Sequence, residues 1–209
     1  MEQKIIRSFN FDVKADQSEE HGNFIEGRAI VFDSPTDLGS FTEVISRDAL
    51  KETDLRDVRF LVNHNTDMIP LARSRNNNAN STMQMVVTDE GMDIRADLDT
   101  ENNADARALY SATQRGDLSG MSFMMTIPEG GDKWDWSNEE HPTRTITKIG
   151  KVFEVSAVTF PAYEATSLEA RGDAEALESA KAALESAKAE AEKSEAINEL
   201  NSLLDELEA

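Results

Sequence analysis

Apolar and polar residues alternate from Lys4 to Val13 and again from Asn23 to Phe32, the period-two signature of half-buried strands. The two segments are expected to pair across the polar stretch DQSEEHG between them. Ser46 precedes RDALKET as an N-cap for a short helix, because its hydroxyl can accept an unpaired first-turn amide. Asp57 to Asn63 reads as a buried strand running straight into His64. Met83 to Thr88 and Met92 to Asp99 flank Asp89-Glu90-Gly91, a hairpin in which Gly91 supplies the positive φ that short loops commonly need. Thr100 is expected to cap a helix through ENNADARALYSATQR, with Ala104, Ala108 and Leu109 on one side and Gly116 as a left-handed stop.

A strand follows from Leu118 to Ile127, then PEGGDKWDWSNEEHP has the composition of an exposed loop. Thr143 to Lys148 and Lys151 to Phe160 return to β-branched alternation. The chain is therefore mainly β with short helices. Closely spaced strands without a regular βαβ rhythm favour an antiparallel barrel or sandwich. After Gly172 the pattern changes: the run is rich in Ala, Glu, Lys, Leu and Ser, lacks glycine and proline, and predicts a long helix. The expected division is a β domain over 1–172 and an acidic helical segment over 173–209. Leu177, Leu184 and Ala191 lie seven apart, while Ile197, Leu200, Leu204 and Leu207 follow a shifted register. So narrow a seam fits either a solvated helix or a coiled-coil, scaffold-like attachment.

The 209 residues hold 41 acidic against 21 basic side chains, a net charge of -20. Such a chain repels a phosphate backbone and anionic lipid alike, so neither direct nucleic-acid binding nor membrane association is expected. Without a cysteine, any covalent chemistry must use an oxygen nucleophile or a lysine, and cysteine-based metal sites are excluded. The N-terminal residues lack the apolar stretch and cleavage site of a secretory signal.

Of the three histidines, His21 and His141 fall in charged loops where solvation is the ordinary role, whereas His64 ends an apolar strand. Ser122 stands in RGDLSGMSFMMTI, where alternation puts Ser122, Met124 and Thr126 on one face and Phe123 and Met125 on the other. A buried hydroxyl there needs either a backbone acceptor or a histidine. Glu154 is a carboxylate on an apolar strand, expected to share a face with Val152, Ser156 and Val158. It either pairs with a cation such as Arg73 or Arg144 or orients a histidine. Together His64, Ser122 and Glu154 provide a hydroxyl, a base and an orienting anion, the minimum set for acyl transfer. Their chain order of His, Ser, Glu matches none of the chymotrypsin, subtilisin or α/β-hydrolase orders, and no G-x-S-x-G elbow is present.

The blocks GRAIVFDS, VRFLVNHN, RGDLSGMSF and EVSAVTFPAYEAT, in this order, resemble the prohead protease family of tailed bacteriophages, itself distantly similar to the herpesvirus assemblins. The resemblance covers about residues 24 to 167. It implies an assemblin-like β-barrel, His64 as general base, Ser122 as nucleophile and Glu154 as the third catalytic group, with no cofactor and no metal. It further implies cleavage of major capsid protein extensions, of scaffold and of the protease itself, inside the assembling procapsid in the host cytoplasm. Backbone amides near Pro161 to Tyr163 are implied as oxyanion donors, and the acidic helix is expected to pair with scaffold or with a second copy. Two other classes stay open: a noncatalytic assembly protein keeping the same barrel, and a metal-dependent hydrolase, for which three scattered histidines without an HExxH motif are poor material.

Overall fold

The computed structural model describes residues 3–10, 13–20, 22–159, 173–190 and 193. Its strands are β1 (Gln3–Asn10), β2 (Lys14–Ser18), β3 (Gly22–Val31), β4 (Thr36–Asp37), β5 (Thr42–Ile45), β6 (Asp57–Val62) and β7 (Ala72–Arg75). They continue with β8 (Met83–Val87), β9 (Gly91–Leu98), β10 (Gly120–Ile127), β11 (Asp132–Asp135), β12 (Thr143–Ile146) and β13 (Lys151–Val158), and one helix, α1 (Ala104–Gln114), separates β9 from β10. The chain divides into two compact units, Met1–Glu169 and Ala170–Ala209. Within the second, residues 173–190 are helical, and the shifted seam from Ile197 onward lies outside the described residues.

The mainly β expectation holds, in the form of three open sheets among the described residues rather than one closed barrel. Their strand orders are β1-β10-β13-β6-β7, β2-β3-β9-β8 and β11-β12-β5-β4. Phe41, Phe60, Phe123, Ile25, Ile30, Met83, Met92, Met121 and Met125 are wholly buried. Two pairings are parallel, β6 with β13 and β5 with β12, where antiparallel neighbours were expected. The first of these matters most for function. In a parallel pair both strands end on the same side, so the residues after β6 emerge beside the end of β13 although some 90 positions apart in sequence.

Several local expectations are corrected. The first strand does not pair with the third: β1 runs antiparallel to β10, with Ile5 opposite Met125 and Ile6 opposite Met124. Adjacent Ile5 and Ile6 are both buried, so β1 is covered on both faces and belongs in a two-sided sheet. The supposed loop contains β2, whose polar side chains suit a sheet edge and which pairs with β3. RDALKET forms successive turns, Ala49 N–H to Ser46 O, Lys51 N–H to Asp48 O and Thr53 N–H to Leu50 O, because so short a segment does not repay helix nucleation. Asn103, not Thr100, caps α1: its Oδ1 accepts from the amides of Asp105 and Ala106, while Thr100 Oγ1 is engaged by Asn23. The buried face of α1 is Ala106, Leu109 and Thr113, with Ala104 and Ala108 exposed. The glycine-rich loop includes β11, which pairs with β12 and sets Trp134 against Phe41 at 5.0 Å between ring centroids.

Gly91 has the positive φ expected of it, 159°, and a second requirement beside it. A Cβ there would stand 1.9 Å from the carbonyl oxygen of Ile30, where β3 and β9 shift register between Arg28 and Ile30. The positive φ and the close backbone approach together select the glycine.

Candidate active site

The site forms on β13, β10 and the turn after β6. A register shift between Met124 and Met125 leaves Phe153 as the extra residue of β13. Val152 is thereby turned to the core opposite Met125, and does not share the face of Glu154 as simple alternation suggested. Beyond the bulge, Glu154 and Ser156 lie opposite Met124 and Ser122, so the three polar side chains share one face. All three are buried: Ser122 and Ser156 are 0% exposed and Glu154 2%.

His64 reaches this face through a strained turn. Asn63 and His64 adopt φ of 50° and 56°, left-handed values that cost a non-glycine residue of order 1–2 kcal/mol each. The turn is held at the end of β13. Asn63 N–H donates to Ala157 O at 3.0 Å, and Thr159 N–H donates to Asn63 Oδ1 at 3.0 Å. His64 N–H donates to Ser156 Oγ at 3.1 Å. The reversal brings the imidazole back over β13, where His64 Nδ1 lies 2.7 Å from Glu154 Oε1.

That contact sets the tautomer. An ionised carboxylate can only accept, so the proton sits on Nδ1 and Nε2 keeps its lone pair. Nε2 is buried and has no hydrogen-bond partner among the described residues. An unpaired buried acceptor costs about 1–3 kcal/mol, which makes it a position reserved for a donor.

Ser122 is the natural candidate for that donor by position, but its hydroxyl now points elsewhere. It donates to the carbonyl of Arg7 at 2.9 Å and accepts from Ser8 Oγ at 2.8 Å, both on β1. Cross-strand partners in antiparallel sheet have Cα atoms about 4.5–5.5 Å apart, so Ser122 stands one strand away from Ser156, the residue bonded to the His64 backbone. A change of χ1 between staggered wells swings Oγ from the β1 side to the β13 side without moving the backbone. β1 itself is fixed on its other face. The buried Arg7 guanidinium pairs with Glu43, which Arg144 also contacts at 3.4 Å, and Arg144 reaches Asp132 at 2.7 Å.

The structure thus brings His64 and Glu154 into direct contact and puts Ser122 on the same face. Neither cation offered by the sequence as a partner for Glu154 contacts it in these pairs: Arg73 is engaged with Asp57, and Arg144 with Glu43 and Asp132. Ser119 is exposed at the entry to β10. His141 lies near Thr42 at 3.1 Å and Asp37 at 3.5 Å, away from these residues, while His21 and Pro161 to Tyr163 lie outside the described residues. No group of three His, Asp or Glu among the described residues is arranged to hold a metal ion. No described helix is long and apolar enough to cross a membrane. Sequence reasoning passed over Ser156 and Ser8. Ser156 was detectable as a second polar residue two positions beyond Glu154, whereas Ser8 needed the β1–β10 pairing.

Comparison with known proteins adds an independent finding. The family model described as caudovirus prohead serine protease matches residues 9–181. Among solved structures, the bacteriophage T4 capsid assembly protease gp21 is similar with 14% identity and a TM-score of 0.43, covering 75% of this chain and 98% of that one. No curated protein matches.

Proposed function

Since this chain belongs to the caudovirus prohead serine protease family, and is a serine protease of capsid maturation, we propose that Ser122 is its nucleophile, His64 its general base and Glu154 the anion that orients the base. The observation that carries this reading is the unpartnered, buried Nε2 of a histidine whose other nitrogen is bound by a buried carboxylate. Such a histidine is poised to take a proton and to have its charged form stabilised.

In the reaction, Ser122 Oγ leaves the Arg7 carbonyl and turns toward His64 Nε2. As Oγ attacks the scissile carbonyl, its proton passes to Nε2, and the resulting imidazolium is balanced by Glu154. Nε2–H then protonates the leaving amine, releasing it from the acyl-enzyme. Water, deprotonated by the same nitrogen, hydrolyses the ester and returns the proton to Ser122. Every proton is carried by His64; Glu154 stays ionised throughout.

The substrates follow from the family's place in head assembly: extensions of the major capsid protein, scaffold, and the protease itself, cut inside the procapsid. The segment after Gly172, helical over residues 173–190, serves as an attachment to scaffold or to a second copy. Co-expression with the capsid protein and scaffold of the same phage tests the reading. The wild-type chain should shorten these partners and Ser122→Ala should leave them intact while remaining folded, since removing a nucleophile costs roughly three or more decades of rate. Processing by Ser122→Ala at the wild-type rate would refute it.

A further inference from the structure

We infer that Ser156 is a positioning residue of this site, tying the acid to the base through one hydroxyl. Resting on the triad reading above, the inference adds a residue that no triad requires. Ser156 Oγ donates to Glu154 Oε2 at 2.5 Å and accepts from His64 N–H at 3.1 Å. The carboxylate is therefore held at both oxygens, Oε2 by Ser156 and Oε1 by His64 Nδ1.

Three consequences follow. With Oε2 engaged, the carboxylate cannot rotate about its terminal torsion, a broad and weakly restrained one, so Oε1 stays aimed at Nδ1. The same hydroxyl supports the backbone of His64 where its φ of 56° is unfavourable, so it restrains the ring at its root as well as at its tip. Finally, because its own proton is committed to the carboxylate, Ser156 does not compete with Ser122 for Nε2. Fully buried, it has no solvent to replace either bond. A serine in the core of β13 serving packing alone would need neither contact; alanine would fill the same place.

The test uses the full-length chain with Ser156→Ala and Ser156→Thr beside wild type. One readout is the rate of phosphonylation of Ser122 by a fluorophosphonate; the other is the low-field Nδ1 proton resonance of His64 in histidine-labelled protein. Ser156→Ala should react about 10- to 100-fold more slowly, the rate equivalent of one lost charge-assisted hydrogen bond, and should broaden or shift the Nδ1 resonance. Ser156→Thr, which keeps the hydroxyl, should recover most of the rate and the signal. Thermal melting checks that each variant is folded at the assay temperature. Wild-type rate and resonance in folded Ser156→Ala would overturn the inference, and so would equal loss in both variants. Absence of a Ser122 adduct in the wild-type chain would instead defeat the triad reading beneath it.

Discussion

At the scale of single residues, the site distributes its polar demands unevenly. Glu154 is held at both oxygens and His64 at its backbone and Nδ1, while Nε2 has no partner among the described residues. The base and acid are organised in advance, and the nucleophile's rotamer is the remaining degree of freedom. The two should accordingly differ in sensitivity. His64→Gln removes the proton carrier and should abolish turnover, whereas Glu154→Gln keeps much of the shape and should retain measurable activity, still lowered by several decades. Cleavage rates of the two variants on one protein substrate check this; a Glu154→Gln enzyme at wild-type rate would contradict Glu154's assigned role. His64 and Ser122 were legible as candidates because a histidine ending an apolar strand and a serine among large apolar residues each break a local pattern. What could not be read was the present bond of Ser122 to the Arg7 carbonyl, since it depends on which strand lies next to β10.

Among the elements, strands whose pattern was simple were legible, and so was the hairpin that pairs β8 with β9, but the partners further away in sequence were not. β6, β8, β9, β10, β12 and β13 fall close to their expected positions, because each alternates or runs continuously apolar. Pairing is a long-range property: β1 finds β10 more than a hundred residues away, and β6 lies parallel to β13. Neither choice leaves a trace in local periodicity, and the bulge at Phe153 reversed the expected face of Val152. The parallel pair is what carries His64 to Glu154, so the feature least visible in the sequence is the one that builds the site. Gly91 offers a stability test at this scale. Gly91→Ala would drive a methyl group to 1.9 Å from Ile30 O, and no side-chain adjustment relieves a clash with backbone. The cost should be about 2 kcal/mol or more, at the upper end for overpacking, measurable by urea unfolding. A loss under 0.5 kcal/mol would show that β3 and β9 can part there.

For the whole molecule, the contrast in composition at Gly172 marked a change of character that the structure meets with a helix over residues 173–190. Assigning this segment to attachment rather than catalysis leads to a separable outcome: a chain ending at Gly172 should still cleave a soluble peptide, yet be incorporated poorly into assembling particles, because only incorporation depends on local concentration. Counting protease per particle and assaying peptide turnover measure the two independently; incorporation at the full-length level, or loss of peptide cleavage, would contradict the assignment. On the intact chain, the most direct measurement is the position of the adduct left by a fluorophosphonate, read by mass spectrometry of the digested protein. The account predicts a single modified serine, Ser122, in the wild-type chain and almost none in His64→Gln. An adduct on Ser119 or Ser156, or undiminished labelling of Ser122 without His64, would contradict it.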